Sequence, residues 1–252
     1  MIRIRDLAHV RIERVEFPSA GGTVRGLYYS GGPSHTCVVL AHGYSSSKHN
    51  VDGLAFYLAT EGVASLAFDF LGHKLGASSV PLQSSVDLRT NVLDAVAKAR
   101  TVQGVQRIVA CGHSMGAAAS IGAAVESQSI DAVIAMCTAF GRNDALHASP
   151  MVAGLRNRAA YVDGPSPSEL TKTMDGFTRR VAEISPRPLL VIAGSKDAIV
   201  APSAVRTLFD AAGEPKDYEL VDATHTDCAE RAKFVVFRWL RARGFSTPRS
   251  NA

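Results

Sequence analysis

The stretch Gly112-His113-Ser114-Met115-Gly116 decides the fold, because it places a serine between two glycines where a strand pattern gives way to a helix pattern. The apolar, β-branched run at 105–111 before it is typical of a buried strand, and the mostly small residues at 117–124 after it are typical of a tightly packed helix. A sharp turn between the two pushes the serine hydroxyl out of the sheet, where another molecule can reach it. The glycines fit because such a turn leaves no room for a Cβ atom from the chain on either side.

Length and composition indicate one globular domain over residues 1–252. Hydrophobic residues make up 46% of the 252 residues, an ordinary share that allows a sizeable buried core. No apolar run approaches the roughly 20 residues that a membrane span needs. The amino-terminal residues 1–6 lack the apolar segment of a secretory signal, so we expect a cytoplasmic protein without a membrane span.

Charge and cysteine usage exclude several other classes of protein. The net charge of +4 is modest, and four arginines near the C-terminus account for much of it, so nucleic-acid binding is not expected. The four scattered cysteines have neither CxxC spacing nor a disulfide pattern, which predicts free buried thiols. The histidines show no metal-ligand spacing, so we expect neither a metal nor a cofactor.

Strand and helix patterns alternate along most of the chain. The pattern predicts an amino-terminal hairpin (9–17, 23–29), six further strands (36–41, 63–68, 105–111, 131–137, 188–193, 218–221) and helices at 51–60, 85–100, after Ser114, 201–212 and 225–243. Such alternation predicts an α/β fold: a mostly parallel central sheet with an N-terminal antiparallel hairpin and helices on both faces.

Residues 138–187, between the sixth and seventh strands, have a different character. They are rich in proline and polar residues, and so long a connection in a compact domain commonly serves as a lid or cap. The segment is also basic. Its cations could form a solvated outer face, or one or two of them could receive an anionic part of a substrate; the six are Arg142, Arg156, Arg158, Lys172, Arg179 and Arg180.

Two further residues could activate the serine at 114. A serine hydroxyl needs a base to take its proton, and the base needs a carboxylate that fixes its tautomer. Asp197 follows the predicted seventh strand and His225 follows the eighth, so both should lie at the sheet edge where Ser114 emerges. Helix capping is the alternative role for both residues, and Asp222 and Asp227 are rival carboxylates near His225.

With these residues the sequence resembles the α/β-hydrolase superfamily, whose catalytic residues follow the same chain order of Ser, acid and His. The resemblance covers nearly the whole chain and includes Leu40-Ala41-His42-Gly43-Tyr44, Phe68-Asp69-Phe70-Leu71-Gly72-His73, the serine turn, Gly194-Ser195-Lys196-Asp197 and Ala223-Thr224-His225. The chain departs from many relatives after the fourth strand, where the run 72–78 is longer than the compact Gly-His-Gly-x-Ser.

The resemblance implies a catalytic triad of Ser114, Asp197 and His225, with the backbone N–H groups of Tyr44 and Met115 as an oxyanion hole. His113 and His42 stand beside these residues as candidate substrate contacts, and His42 could instead hold the oxyanion loop through its side chain.

We expect a serine hydrolase that cleaves small-molecule carboxylic esters or thioesters. The same residues could serve amide, dienelactone or C–C bond cleavage or acyl transfer, and a non-catalytic binding protein is a further alternative. The sequence leaves the oligomeric state open.

Overall fold

The computed structural model describes residues 9–141 and 157–246, which contain one sheet of eight strands. The strands are β1 (Arg11–Ser19), β2 (Gly22–Ser30), β3 (Thr36–Ala41), β4 (Ala64–Phe68), β5 (Arg107–His113), β6 (Ala132–Met136), β7 (Leu189–Gly194) and β8 (Lys216–Val221). Their order across the sheet is β1-β2-β4-β3-β5-β6-β7-β8.

The sheet is antiparallel at its amino-terminal edge and parallel elsewhere. β1 and β2 form a hairpin around a turn in which Ala20 and Gly21 have positive φ angles of 43° and 75°, and β2 pairs antiparallel with β4. From β4 across to β8 every neighbouring pair is parallel. The predicted α/β sheet with its antiparallel hairpin is therefore confirmed, and the carboxyl ends of six strands meet at one edge.

Seven α-helices and two 3₁₀ turns lie wholly within the described parts of the chain, and residues 157–159 are also helical. The helices are α1 (Asp52–Thr60), α2 (Asp87–Arg100), α3 (Met115–Glu126), α4 (Pro167–Thr178), α5 (Pro202–Ala211), α6 (Cys228–Arg231) and α7 (Lys233–Ala242), and the 3₁₀ turns are Lys48–Val51 and Val181–Ile184. None of the helices in these ranges is both long enough and apolar enough to cross a membrane.

The last helix differs from its prediction. It begins at Cys228 rather than at residue 225, and it is interrupted at Ala232. The cause is local, because the Asp227 carboxylate accepts hydrogen bonds from the N–H (2.7 Å) and the hydroxyl of Thr224. This turn holds His225 outside the helix, on the loop that follows β8.

The core consists of two layers, one on each face of the sheet. Val39 of β3 belongs to the layer that contains α2 and α3, whereas its neighbour Val38 belongs to the layer that contains α1 and α7. All six residues of β3 are buried, as expected for a central parallel strand covered on both faces. The four cysteines are buried and free, which confirms their prediction.

The segment between β6 and β7 holds α4, which packs on α3. A capping box formed by Ser166 and Glu169 starts this helix, and its Phe177 ring would lie 2.7 Å from a Cβ atom added at Gly122. The chain at 161–163 also meets the loop after β4, where the Lys74 N–H donates to the Tyr161 carbonyl at 2.9 Å. The cations Arg142 and Arg156 lie outside the described residues.

Candidate active site

The carboxyl edge of the sheet brings Ser114, Asp197 and His225 to one place. Ser114 directly follows β5, Asp197 follows β7, and His225 follows β8. Because β5 and β8 lie on either side of β6 and β7, the loops carrying these side chains converge above the middle of the parallel half of the sheet.

Ser114 occupies a strained turn at the start of α3. Its φ of 54° and ψ of −113° lie in a region that residues with a side chain rarely adopt, at a typical energy of about 1–3 kcal/mol. The turn is held by the Ser114 N–H, which donates to the Met136 carbonyl at 2.8 Å. A Cβ atom at Gly112 would lie 2.2 Å from the Gly116 carbonyl oxygen, and one at Gly116 would lie 2.3 Å from that of Ala41. Only glycine fits at either position.

Two backbone segments border the Ser114 side chain. Met115 is the first residue of α3, so the helix itself does not use its N–H, and the helix dipole makes this position favourable for negative charge. On the other side, a Cβ atom at Gly43 would lie 3.5 Å from the Ser114 Cβ, which places the chain leading into Tyr44 against the serine. This arrangement can supply two N–H groups to an oxygen that develops negative charge beside Ser114.

His42 fixes the loop that carries Tyr44. Its Nδ1 lies 2.8 Å from the Gly43 carbonyl oxygen, and its Nε2 accepts a hydrogen bond from the Phe70 N–H at 3.1 Å. Since a carbonyl can only accept, the ring proton resides on Nδ1. Burial, reinforced by the neighbouring His73, lowers the pKa of His42 to about 3, so the ring is neutral. Both nitrogens are therefore engaged with the backbone of the chain.

A buried ion pair between Lys48 and Asp69 also holds the loop after β3. Asp69, which directly follows β4, accepts from the Lys48 ammonium at 2.6 Å and from the N–H groups of Lys48 at 2.8 Å and Ala77 at 2.7 Å. Burial alone would raise the pKa of Asp69, but the hydrogen bonds from Lys48 and Ala77 outweigh it and lower the pKa. The pair joins the loop after β3 to the long 72–78 run.

Asp197 holds His225 through a hydrogen bond between buried groups. The distance from His225 Nδ1 to Asp197 Oδ2 is 2.8 Å, and the side chains are 12% and 0% exposed. The other carboxylate oxygen, Oδ1, accepts the N–H groups of Ile199 and Val200, both at 2.8 Å. The carboxylate fixes the ring proton of His225 on Nδ1, which leaves Nε2 as the basic nitrogen.

The pKa values of the two groups are shifted toward a charged pair. Burial by itself would raise the pKa of Asp197, but the hydrogen bond and the charge of His225 lower it. Burial would lower the pKa of His225, yet the hydrogen bond to Asp197 and the contact with Cys137 together leave it raised. An imidazole held in one tautomer by a buried carboxylate is suited to act as a base.

The two rival carboxylates, Asp222 and Asp227, bind groups other than His225. Asp222 pairs with the Lys196 ammonium at 2.7 Å, and Asp227 binds Thr224 and pairs with Arg231 at 3.3 Å. Asp197 is consequently the carboxylate that reaches His225.

His113 links the serine turn to the loop of His225. Its Nε2 donates to the His225 carbonyl at 2.7 Å, and the two imidazole rings lie 4.7 Å apart between centroids. Among the described residues, no direct hydrogen bond joins the Ser114 hydroxyl to His225. In substrate-free enzymes this bond is often long and shortens only when substrate binds.

Cys137 belongs to this cluster, and our sequence analysis did not identify it. The residue directly follows β6, has a positive φ of 54° and is fully buried. One ligand atom each from His113, Cys137 and His225 lies within 4.8 Å of the other two. The three residues lie at the carboxyl ends of three different strands: His113 is the last residue of β5, Cys137 follows β6, and His225 is on the loop after β8. No local spacing reveals them, but a cysteine directly after a central strand at the catalytic edge is a usable signal.

Arg158 brings one cation of the 138–187 segment to this site. Its guanidinium donates to the Ser45 hydroxyl at 3.3 Å, and Ser45 follows Tyr44 with a positive φ of 50°. The guanidinium therefore lies next to the loop that borders Ser114.

Comparisons with known proteins match this chain to a family model and to a curated protein. The family model described as serine aminopeptidase, S33, matches residues 32–163, a little over half of the chain. A polyketide transferase, ATR5, of Stachybotrys chlorohalonatus is 26% identical over an alignment of 270 residues, covering 86% of this chain and 90% of that protein.

Solved structures share the fold. Est1E of Butyrivibrio proteoclasticus, solved with ferulic acid, superposes with a TM-score of 0.74 at 17% identity, covering 90% of this chain and 98% of that one. The Pyrococcus furiosus esterase Pf2001 superposes with a TM-score of 0.70 at 22% identity, covering 95% of this chain and 93% of that one.

Proposed function

Because this chain belongs to the serine aminopeptidase S33 family, within the α/β-hydrolase superfamily, we propose that it is a serine hydrolase that cleaves small-molecule carboxylic esters or thioesters. The observation that carries the proposal is the 2.8 Å bond from Asp197 to His225 Nδ1, on a loop that His113 ties to the turn of Ser114. This geometry leaves the basic nitrogen of His225 to activate the serine.

In the first half of the reaction the substrate acylates Ser114. The Ser114 oxygen attacks the carbonyl carbon while His225 Nε2 takes the hydroxyl proton. The carbonyl oxygen becomes an oxyanion, which the N–H groups of Tyr44 and Met115 stabilise, and each such donor typically contributes about 2.7–4 kcal/mol. The imidazolium then gives its proton to the departing alcohol or thiol, and the acyl group remains on Ser114.

In the second half water replaces the serine. His225 Nε2 takes a proton from water, the hydroxide oxygen attacks the acyl carbon, and the same proton returns to the Ser114 oxygen as the carboxylic acid leaves. Asp197 stays ionised throughout, since its lowered pKa lies below neutral pH, and it stabilises the imidazolium in both halves. The residues that act in both halves are thus the same three side chains and two backbone groups.

Active-site labelling tests the proposal. A fluorophosphonate probe should modify Ser114, as located by peptide mass spectrometry, and Ser114→Ala should abolish both the labelling and p-nitrophenyl ester hydrolysis. Ser120→Ala is the matched control, because this serine lies on the same helix, α3, and its hydroxyl is buried without a hydrogen-bond partner among the described groups. A Ser114→Ala variant as active as Ser120→Ala would refute the assignment.

Acyl transfer is a second candidate, favoured by the similarity to a polyketide transferase. In a transferase an alcohol or amine, rather than water, would attack the acyl group on Ser114, and His225 would take the proton of that nucleophile. Product analysis with a thioester substrate and a series of added alcohols distinguishes the two. For a transferase, the ratio of ester product to free acid should be well above the molar ratio of alcohol to water. A hydrolase should give mainly the free acid.

A further inference from the structure

The cluster of His113, Cys137 and His225 has the composition of a metal site. Its three ligand atoms lie within 4.8 Å of one another, and all three residues are at least mostly buried. A site with one thiol and two imidazoles favours Zn²⁺ and other thiophilic cations over Mg²⁺ or Ca²⁺. The proposed hydrolytic reaction uses His225 but has no role for the thiol.

Hydrogen bonds around the cluster are of the kind that orients metal ligands. A histidine that binds a metal almost always donates its other ring N–H to a carboxylate or a backbone carbonyl. His225 donates Nδ1–H to Asp197 at 2.8 Å, and His113 donates Nε2–H to the His225 carbonyl at 2.7 Å. Both rings thus have the outer bond that a ligating imidazole requires, and both tautomers are defined by it.

We propose that a thiophilic divalent cation, with Zn²⁺ as the reference ion, binds among Cys137 Sγ, His225 Nε2 and the His113 ring. In a tetrahedral zinc site, ligand atoms are about 3.5 Å apart, as follows from bond lengths of roughly 2.0–2.3 Å. The observed limit of 4.8 Å therefore requires inward shifts of about an ångström. A water molecule would complete the fourth position.

Binding changes the protonation of one ligand. The Cys137 thiol loses its proton to solvent as the sulfur–metal bond forms, while the two neutral imidazoles bind through nitrogen lone pairs. His225 is the most exposed of the three residues, so the cation would reach the cluster from the side of His225.

Metal binding and the proposed hydrolysis exclude each other, and this consequence rests on the proposed function. A cation on Nε2 occupies the lone pair that must take the proton of Ser114, so the metal-bound protein would be inactive. Chelation would restore activity, because no covalent bond to carbon has formed. The site would make the enzyme responsive to zinc.

The direct test measures metal binding to the full chain in two ways. Titration calorimetry gives the affinity and stoichiometry for Zn²⁺, and the near-ultraviolet thiolate-to-metal absorption band of Co²⁺ reports whether the thiol is a ligand. We expect one equivalent to bind and the absorption band to appear. Cys137→Ser should weaken binding by more than about 100-fold and remove the band, since even outer-shell partners typically contribute 10–100-fold. Cys37→Ser is the matched control, because Cys37 is equally buried but lies in β3 and outside the cluster.

Two further variants keep the inference separate from the proposed function. Ser114→Ala should bind Zn²⁺ like the parent protein even though it lacks hydrolytic activity, so a failed activity assay would leave the binding result intact. If circular dichroism shows that Cys137→Ser is unfolded, His113→Asn is judged by the same 100-fold criterion. Unchanged zinc affinity in a folded Cys137→Ser or His113→Asn variant, or a bound Co²⁺ without the thiolate band, would overturn the proposal.

Discussion

The substitution Asp197→Asn should invert the tautomer of His225 without disturbing the loop. Asp197 Oδ1 accepts two backbone N–H groups, from Ile199 and Val200, each at 2.8 Å. In the variant the amide oxygen must keep this position, because an NH₂ group there would face two donors. The NH₂ group then faces His225 Nδ1, which must become the acceptor, and the ring proton moves to Nε2.

The expected magnitude follows from the protonation state. With its proton on Nε2, His225 has no lone pair directed at the serine and cannot act as the base. The same tautomer inversion in a Ser-His-Asp triad reduces kcat by about 10⁴-fold, or roughly 5.5 kcal/mol of transition-state stabilisation. KM should change little, since the buried Asp197 carboxylate faces His225 and two backbone N–H groups. Both backbone hydrogen bonds survive, so the melting temperature should be close to that of the parent.

Steady-state hydrolysis of p-nitrophenyl esters measures this effect, with thermal unfolding as the check on folding. Asp222→Asn is the matched control, because Asp222 is an acid of the neighbouring loop that pairs with Lys196 instead of His225. We expect its activity to be unchanged. A folded Asp197→Asn variant that loses less than about tenfold in kcat would refute the reasoning that this carboxylate sets the tautomer.

Three further predictions concern pH, stability and specificity. The value of kcat/KM should fall as pH decreases through a pKa of His225 above its ordinary 6.5, because the base must be neutral; a profile with no inflection above 6.5 would contradict this. Asp69→Asn should lower the free energy of unfolding in urea by about 3–5 kcal/mol, since it leaves the Lys48 ammonium buried without its carboxylate; a loss under about 1 kcal/mol would show that the pair is not needed. Arg158→Glu should reduce the ratio of kcat/KM for anionic esters to kcat/KM for neutral esters about fivefold, because an exposed ion pair with the substrate contributes roughly 1 kcal/mol. An unchanged ratio would exclude this cation from substrate recognition.

The fold and the serine turn were predictable because their signals are local. The steric need for glycine at 112 and 116 arises within the turn and from the adjacent strand, and the alternation of strand and helix patterns fixes a parallel sheet. The positions of Asp197 and His225 also follow locally, since they lie three and four residues beyond the ends of their strands.

The remaining features depend on how loops distant in the chain face one another. Asp197 is distinguished from Asp222 by position: Asp197 Oδ2 lies 2.8 Å from His225 Nδ1, whereas Asp222 is exposed and pairs with Lys196. The cysteine at 137 joins the site only because β6 lies between β5 and β7 in the sheet, an order that residue spacing does not reveal. The later start of the last helix results from a side-chain bond between Asp227 and Thr224 that competes with helix formation.

The most direct test of the account is whether the three side chains act as one unit. The residual rates of ester hydrolysis would be compared under the same conditions for three proteins. They are the single variants Ser114→Ala and His225→Gln, and the triple variant that carries Ser114→Ala, His225→Gln and Asp197→Asn together. Residues that work together are strongly non-additive, so the combined variant should retain about the same low rate as Ser114→Ala alone. Rate losses that multiply from one substitution to the next would contradict a shared mechanism at this site.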